Sequence, residues 1–341
     1  MHPFSYRRPG SLDEAIAMLA PAPVDSVAGA TVSAASPLGG GTDLLLCIKE
    51  SLARPDAVVD LTRIPGFAGV YETASGGLRI GGGTRVAAIA ANEVIRARYA
   101  ALAEAADQVG TVALRHMGTL GGNICQRPRC WYFRRLIPCL KNGGSGCPAH
   151  DGENQYHAII GGGPCWIVHP SDPAVALVAL DAVVNLRGGP HGARTVAASN
   201  FFVLPTERLD RETCLEDGEI VESVELPATS ASSSQQYVKI MQRGAWDFAL
   251  VSLAAVLRTD GDVRLVLGGV APAPWRVASS VEEDVAAGSL DDDSIEALAE
   301  RALYDASPLS KNAYKVTIAR TLLRRAISWI GAKQVEDRAR R

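Results

Sequence analysis

Over the forty residues from Cys125 to Pro164, the apolar periodicity of helices and strands gives way to Gly, Pro, Cys and Arg. A stretch of that length without regular structure is uncommon inside a compact chain, and something must hold it in one shape. Five of the seven cysteines, Cys125, Cys130, Cys139, Cys147 and Cys165, fall within 41 residues, whereas Cys47 and Cys214 stand alone. Cys130, Cys139, Cys147 and Cys165 are separated by eight, seven and seventeen residues. Pro128, Pro138, Pro148 and Pro164 stiffen the segment, while Gly143, Gly144, Gly146 and Gly161 to Gly163 let it wrap. Four thiolates on one irregular loop suit a caged metal cofactor. No pair has the C-x-x-C spacing of a zinc ribbon or a bacterial ferredoxin, so spacing leaves the metal open. Structural zinc is one reading, with His150, His157 or His169 replacing a thiol. Cys125 closely follows a glycine loop and is expected to pack as a small apolar residue.

The rest of the chain looks globular. Of its 341 residues 47% are hydrophobic and 21% charged, enough apolar material for two or three cores. A formal net charge of -3 argues against a sequence-independent grip on nucleic acid. The basic end from Lys333 to Arg341 is expected to be a solvated tail. The most apolar segment, Ala174 to Leu186, is interrupted by Asp181 and is shorter than the roughly 20 residues that cross a bilayer. Arg7 and Arg8 lead into Pro9, Gly10 and an acidic helix, which is not a signal-peptide pattern. The expected location is therefore the cytoplasm, with reduced thiols, or the periplasm by co-export with a signal-bearing partner.

Ser11 and Glu14 form a capping-box pattern ahead of a helix, and Glu93 to Gln108 is again helical in character. Ala57–Leu61 and Leu78–Ile80 read as short strands bounded by Pro and Gly. The Ser-rich run from Ala228 to Gln236 has linker composition and predicts a domain boundary. Beyond it, Asp260-Gly261 between two apolar runs predicts a hairpin, followed by helices opening near Asp291 and spanning about Asn312 to Trp329. The pattern is α+β, with domains expected over residues 1–229 and 235–335. The first divides into subdomains of about 1–62 and 63–229 and carries the insert over about 125–166.

Two glycine loops carry the second signal. Gly39-Gly40-Gly41-Thr42-Asp43-Leu44 and Gly118-Thr119-Leu120-Gly121-Gly122-Asn123 each let several backbone N–H groups converge on a phosphate. Either alone could be a tight turn, but a pair suits a pyrophosphate held from two sides. Gly81-Gly82-Gly83 fails as a dinucleotide fingerprint, because Val86 occupies its last glycine position, and reads as a structural turn.

Together these pieces resemble the FAD-binding subunit of the xanthine dehydrogenase family of molybdenum hydroxylases, over essentially the whole chain. Pro37 to Leu44 (PLGGGTDL) and Thr119 to Asn123 (TLGGN) look like the family's two flavin pyrophosphate loops. His169-Pro170-Ser171-Asp172 is similar to the segment whose aspartate approaches the FAD, although Asp172 also reads as a helix N-cap. Ile220 matches an apolar position that packs on the cofactor. Lys239, in Tyr237-Val238-Lys239, matches a lysine facing the flavin, and without the family would be an ordinary surface lysine. The cysteine insert resembles the branch that includes bacterial aldehyde oxidoreductase, whose flavoprotein subunit carries a 4Fe-4S cluster; Cys130, Cys139, Cys147 and Cys165 match its ligand positions.

The resemblance implies a two-part FAD-binding domain of the vanillyl-alcohol-oxidase type, then an α+β C-terminal domain of the CO dehydrogenase flavoprotein type. It implies Pro37, Leu38, Gly39, Gly40, Gly41, Thr42, Asp43, Leu44, Thr119, Gly121, Gly122, Asn123, Asp172, Ile220 and Lys239 at the FAD. It further implies a molybdopterin-binding large subunit, a 2Fe-2S small subunit and an external electron acceptor, with no catalytic residue for substrate oxidation on this chain. A stand-alone flavin oxidoreductase and a zinc-stabilised nucleotide-binding module are the alternatives.

Overall fold

A computed structural model describes residues 2–20, 35–288 and 290–340. Strands β1 (Ser5–Arg7), β2 (Ser36–Leu38) and β3 (Ala57–Asp60) form a parallel sheet in the order β1-β3-β2, flanked by helices α1 (Leu12–Leu19) and α2 (Leu44–Lys49). Ser11 caps α1 by accepting from the Glu14 N–H at 3.2 Å, while the Glu14 carboxylate reaches past it to the Gly10 N–H at 2.6 Å. Ala15 and Leu19 of α1 join Val59, Leu61, Ile64 and Phe67 in a small core.

The second sheet is antiparallel in the order β4-β5-β8-β6-β7, built from β4 (Val70–Glu72), β5 (Leu78–Gly81), β6 (Val183–Gly188), β7 (Gly192–Ala197) and β8 (Glu219–Leu226). Helices α3 (Val86–Ala91), α4 (Glu93–Arg98) and α5 (Ala100–Asp107) pack over it. The helix expected over Glu93 to Gln108 breaks in two at Tyr99, whose backbone leaves the helical region. Its buried ring sends the hydroxyl to the carbonyls of Leu226 and Pro227, an anchor that a continuous helix would not reach. Helices α6 (Val112–Met117) and α7 (Leu120–Ile124) then flank the second glycine loop. The insert holds only one turn of helix, α8 (Trp131–Arg134), and a 3-10 turn at Leu140–Asn142, as its composition predicts.

The third sheet is antiparallel, in the order β12-β11-β10-β9: β9 (Ser234–Ile240), β10 (Val251–Leu257), β11 (Val263–Gly268) and β12 (Trp275–Arg276). The hairpin at Asp260-Gly261 forms, pairing Leu257 with Val263. Every residue of β10 is buried because the sheet is covered on both faces. On one side lie α5 and α9 (Asp172–Ala179), which separate it from the second sheet; α10 (Ala198–Phe201) packs behind α9. On the other lie α11 (Ser279–Ala287), α12 (Asp292–Arg301) and α13 (Tyr314–Arg340).

Three expectations are corrected here. The Ser-rich run is not a loose linker: Gln235 and Gln236 already belong to β9, Gln235 bonds the carbonyls of Arg98 and Ser230, and buried Ser230 donates to Leu180 O. Helix α11 was not foreseen, since its apolar Val281 and Val285 bracket acidic residues; buried Glu282 is satisfied by Arg276 and the Leu265 N–H. The basic end is no tail either, because α13 continues to Arg340 while Gln334 caps the last carbonyls of α11.

Candidate cofactor site

The two glycine loops meet. A Cβ on Gly40 would run into the Met117 carbonyl, and one on Gly39 would stand 2.5 Å from Thr119 Oγ1, so side chains at these positions would drive the loops apart. Gly41 adopts φ +75°, which glycine takes without strain. The second loop is held from behind by the Gly81-Gly82-Gly83 turn: Gly121 N–H donates to Gly82 O at 2.9 Å and Leu120 N–H to Thr84 O at 2.8 Å. Thr119 caps α7 by accepting from Gly122 N–H, and Asn123 Oδ1 accepts from Ser171 Oγ at 2.5 Å.

A cleft opens beside the loops in two lobes. One, about 280 Å³, is lined by Thr42, Asp43, Gly118, Gly122 and Asn123 together with Trp246. The other, about 420 Å³, is lined by Cys130, Trp131, His157, His169, Ser171 and Leu250 among others. Both are bounded by Asp172, Pro170 and Phe248. A long, two-ended ligand anchored at the glycine loops suits this shape.

Asp172 starts α9, where Ser171 is the N-cap. Its carboxylate accepts from Tyr237 Oη at 2.7 Å and from Lys239 Nζ at 2.8 Å. Burial pushes the Asp172 carboxyl above its usual range against the pull of Lys239 and Tyr237. Lys239 also donates to Gln108 O and lies behind Asp172 rather than on the lining of either lobe. The sheet register that buries Tyr237 and Lys239 on one face sets this lysine, matched to one that faces the flavin, in an interior ion pair with Asp172. His169 went unassigned beyond its candidacy for zinc, yet it is buried on the lining of the larger lobe.

Not every expected residue reaches the cleft. Ile220 is 3% exposed and packs in the N-terminal core with Leu19, Val59 and Phe67; it lines neither lobe. Pro37 and Leu38 are in β2, and Leu44 opens α2; none lines a lobe, and Gly39, Gly40, Gly41, Thr119 and Gly121 stand behind the lining residues Thr42, Gly122 and Asn123. Asp43 does line the smaller lobe, but its carboxylate is occupied by the insert: Arg129 and Arg134 donate to Oδ1 at 2.6 and 2.7 Å, and Arg127 N–H to Oδ2 at 2.7 Å. Burial would raise its pKa, and the two guanidinium groups outweigh that and hold it below the usual value.

The four matched cysteines face one another electrostatically. Cys147 and Cys165 share a hydrogen bond, which lowers the Cys147 thiol to about 6 and raises that of Cys165. Cys130 lies within reach of the charges of Cys147 and Cys139, and burial raises its thiol to about 11. Backbone N–H groups of Tyr132 and Phe133 point at Cys130, those of Trp166, Ala149 and His150 at Cys147, and that of Ile167 at Cys165. His157 Nε2 stands 3.2 Å from Cys130 Sγ. Hydrogen bonds aimed at sulfur favour the thiolate, the form in which cysteine binds a metal. Among the described residues no group of three or more His, Cys, Asp or Glu side chains is gathered so as to hold a metal ion. Cys125 is apart from this set: it packs against the main core, where burial pushes its thiol to about 12.

Comparison with known proteins gives consistent results. Residues 2–229 match the FAD binding domain in molybdopterin dehydrogenase, and residues 236–330 match the CO dehydrogenase flavoprotein C-terminal domain. The chain is 35% identical to the aldehyde oxidoreductase FAD-binding subunit PaoB of Escherichia coli K12 over 289 residues, covering 84% of this chain and 88% of that one. It is 28% identical to the glyceraldehyde dehydrogenase medium chain of Sulfolobus acidocaldarius, covering 90% and 89%. A carbon monoxide dehydrogenase structure from Hydrogenophaga pseudoflava superposes with TM-score 0.70 at 26% identity, covering 96% of each chain.

Proposed function

The chain belongs to the FAD-binding medium subunits of the molybdenum hydroxylase family, and on that premise we propose that it is the flavin stage of an aldehyde or N-heterocycle dehydrogenase, carrying FAD and a 4Fe-4S cluster. Its partners are a 2Fe-2S small subunit and a molybdopterin-bearing large subunit where substrate is oxidised; electrons pass between the 2Fe-2S clusters and an external acceptor. Backbone N–H groups of Gly39 to Thr42 hold the pyrophosphate, and the second loop, whose Gly121, Gly122 and Asn123 N–H groups are bonded to Gly82 O, Thr119 Oγ1 and Thr119 O, closes the cradle from the other side. Asp172, fixed by Tyr237 and Lys239, presents a carboxylate to the cleft. Cys130, Cys139, Cys147 and Cys165 are the cluster ligands. Bound flavin exchanges electrons singly or in pairs; the protein supplies position and electrostatics.

The observation that carries this reading is that Cys130 and Asp172 line the same lobe of one cleft. A redox centre on these thiols would adjoin the flavin without an intervening domain. The partner reading is supported by Leu45 and Leu46 on α2 and by Val112, Leu114 and Met117 on α6, exposed apolar side chains that flank the two glycine loops. Apolar surface clustered beside a cofactor site suits a subunit interface. Among the described residues no helix is long and apolar enough to cross a membrane.

The test is an absorption spectrum with metal and sulfide analysis of anaerobically prepared chain. FAD released on denaturation, with about four iron and four sulfide, supports the reading. Stoichiometric zinc without iron, or full-rate aldehyde oxidation by the chain alone, refutes it.

A further inference from the structure

We propose that Arg134 is a positioning residue through which the cysteine insert sets the first glycine loop, so that an ordered insert is a condition for tight FAD binding. The inference rests on the reading of the glycine loops as the flavin cradle and of the four cysteines as cluster ligands.

Helix α8 begins directly after Cys130, and Arg134 N–H closes its turn on Cys130 O at 2.9 Å. The Arg134 guanidinium is spent on four acceptors. It donates to Pro128 O at 2.8 Å and Arg127 O at 3.1 Å within the insert, and across the gap to Asp43 Oδ1 at 2.7 Å and Cys47 Sγ at 3.2 Å. Asp43 directly follows Thr42 and precedes α2, so its position fixes where the Gly39 to Thr42 backbone points. Both its oxygens are taken by groups of residues 127–134, and none by its own loop. The side chains of Arg134 and Asp43 are 13% and 14% exposed, which limits replacement of these bonds by water.

Neither half of this clamp can hold itself. A four-residue helix is far below the length at which helices are stable alone, so α8 depends on what pins its ends. Cys130 pins one end when ligated. If it is released, Arg134 loses its platform, Asp43 becomes a poorly paired buried carboxylate, and the N–H groups of the first loop lose their aim. The coupling is reciprocal in binding free energy: flavin on the loop steadies α8. Arg134 lines neither lobe, so its effect on flavin is transmitted and not a contact.

The experiment uses full-length, anaerobically prepared chain stripped of flavin, measuring FAD affinity by fluorescence quenching and iron on the same samples. Arg134→Gln is expected to bind FAD roughly tenfold more weakly while keeping its iron, the loss expected for one charged hydrogen bond. Arg134→Lys, which keeps a cation for Asp43 but not the fork, is expected to recover part of that loss. The double variant with Asp43→Asn should bind no more weakly than the worse single variant, because both remove one interaction. Should Arg134→Gln not fold, Arg134→Lys alone carries the test and is expected to bind FAD more weakly than wild type while keeping its iron. FAD affinity within twofold of wild type in an iron-loaded variant, or fully additive losses, overturns the proposal. Wild-type chain that lacks iron yet depends on Arg134 for FAD leaves the clamp standing and sinks the cluster reading.

Discussion

Lys239 Nζ lies 2.8 Å from Asp172 Oδ2 with both side chains almost wholly buried, joining the first strand of the third sheet to the first turn of α9. Removing one member leaves the other as an uncompensated buried charge, which costs about 3–5 kcal/mol. Lys239→Met should therefore lower stability by roughly that much. Pairing it with Asp172→Asn should recover a part, since the amide still accepts from Tyr237 Oη. Urea denaturation of wild type, the single variant and the pair checks this; a double variant less stable than Lys239→Met would contradict it.

The glycine loops differ in tolerance. At Gly40 even an alanine would meet the Met117 carbonyl, which is backbone and cannot swing away, whereas a Cβ on Gly122 would stand 3.0 Å from a Thr119 hydroxyl. Gly40→Ala should abolish detectable FAD binding by parting the loops, and Gly122→Ala should weaken it by roughly tenfold or less. Equilibrium dialysis against FAD separates the two. Equal losses would mean that close approach of the loops is not what the cradle requires.

The cysteines should sort the same way. Ser at Cys147 loses a thiolate that is favoured by Cys165 and three backbone N–H groups, and iron content should fall to near background. Cys125→Ser replaces a partly buried thiol held neutral against the core and should keep its iron, at a stability cost of about 1 kcal/mol for a hydroxyl set against apolar neighbours. Iron retained at Cys147→Ser but lost at Cys125→Ser would exchange their roles.

Local chemistry explains what could be read from sequence. The loops at Gly39 and Gly118, the hairpin at Asp260-Gly261 and the irregular insert all follow from residues whose backbone freedom or rigidity acts within a few positions. Interactions across the chain were hidden. Nothing local in Lys239 says that β9 will turn it inward onto Asp172, nor that Asp43 will be claimed by arginines more than eighty residues away. Ile220 was matched to a cofactor wall, but its strand sets it against α1 and the N-terminal core instead. Tyr99 could not be seen to interrupt a helix, because its anchor lies on the far end of β8. His169 stood in the matched His169-Pro170-Ser171-Asp172 segment without a role of its own at the flavin, and only the fold discloses that its ring is sealed into the wall of the larger lobe.

That burial makes His169 an acid-sensitive element. Its Nδ1 accepts from Ser171 N–H at 3.4 Å, the edge of Phe202 packs at 4.7 Å, and burial lowers its pKa from 6.5 to about 4. The unfolded chain therefore takes up a proton near pH 6.5 while the folded chain does not, so the stability this residue allows is full above pH 6.5. It is lost progressively as the pH falls to about 4, and changes no further below that. Between pH 7.5 and pH 5 the loss amounts to about 2 kcal/mol. His169→Gln keeps a polar group of similar size without a titrating nitrogen, so its stability should fall over that interval by about 2 kcal/mol less than that of wild type. Denaturation of both proteins at the two pH values measures the difference, and parallel losses would show that His169 is already protonated, or solvated, in the folded protein.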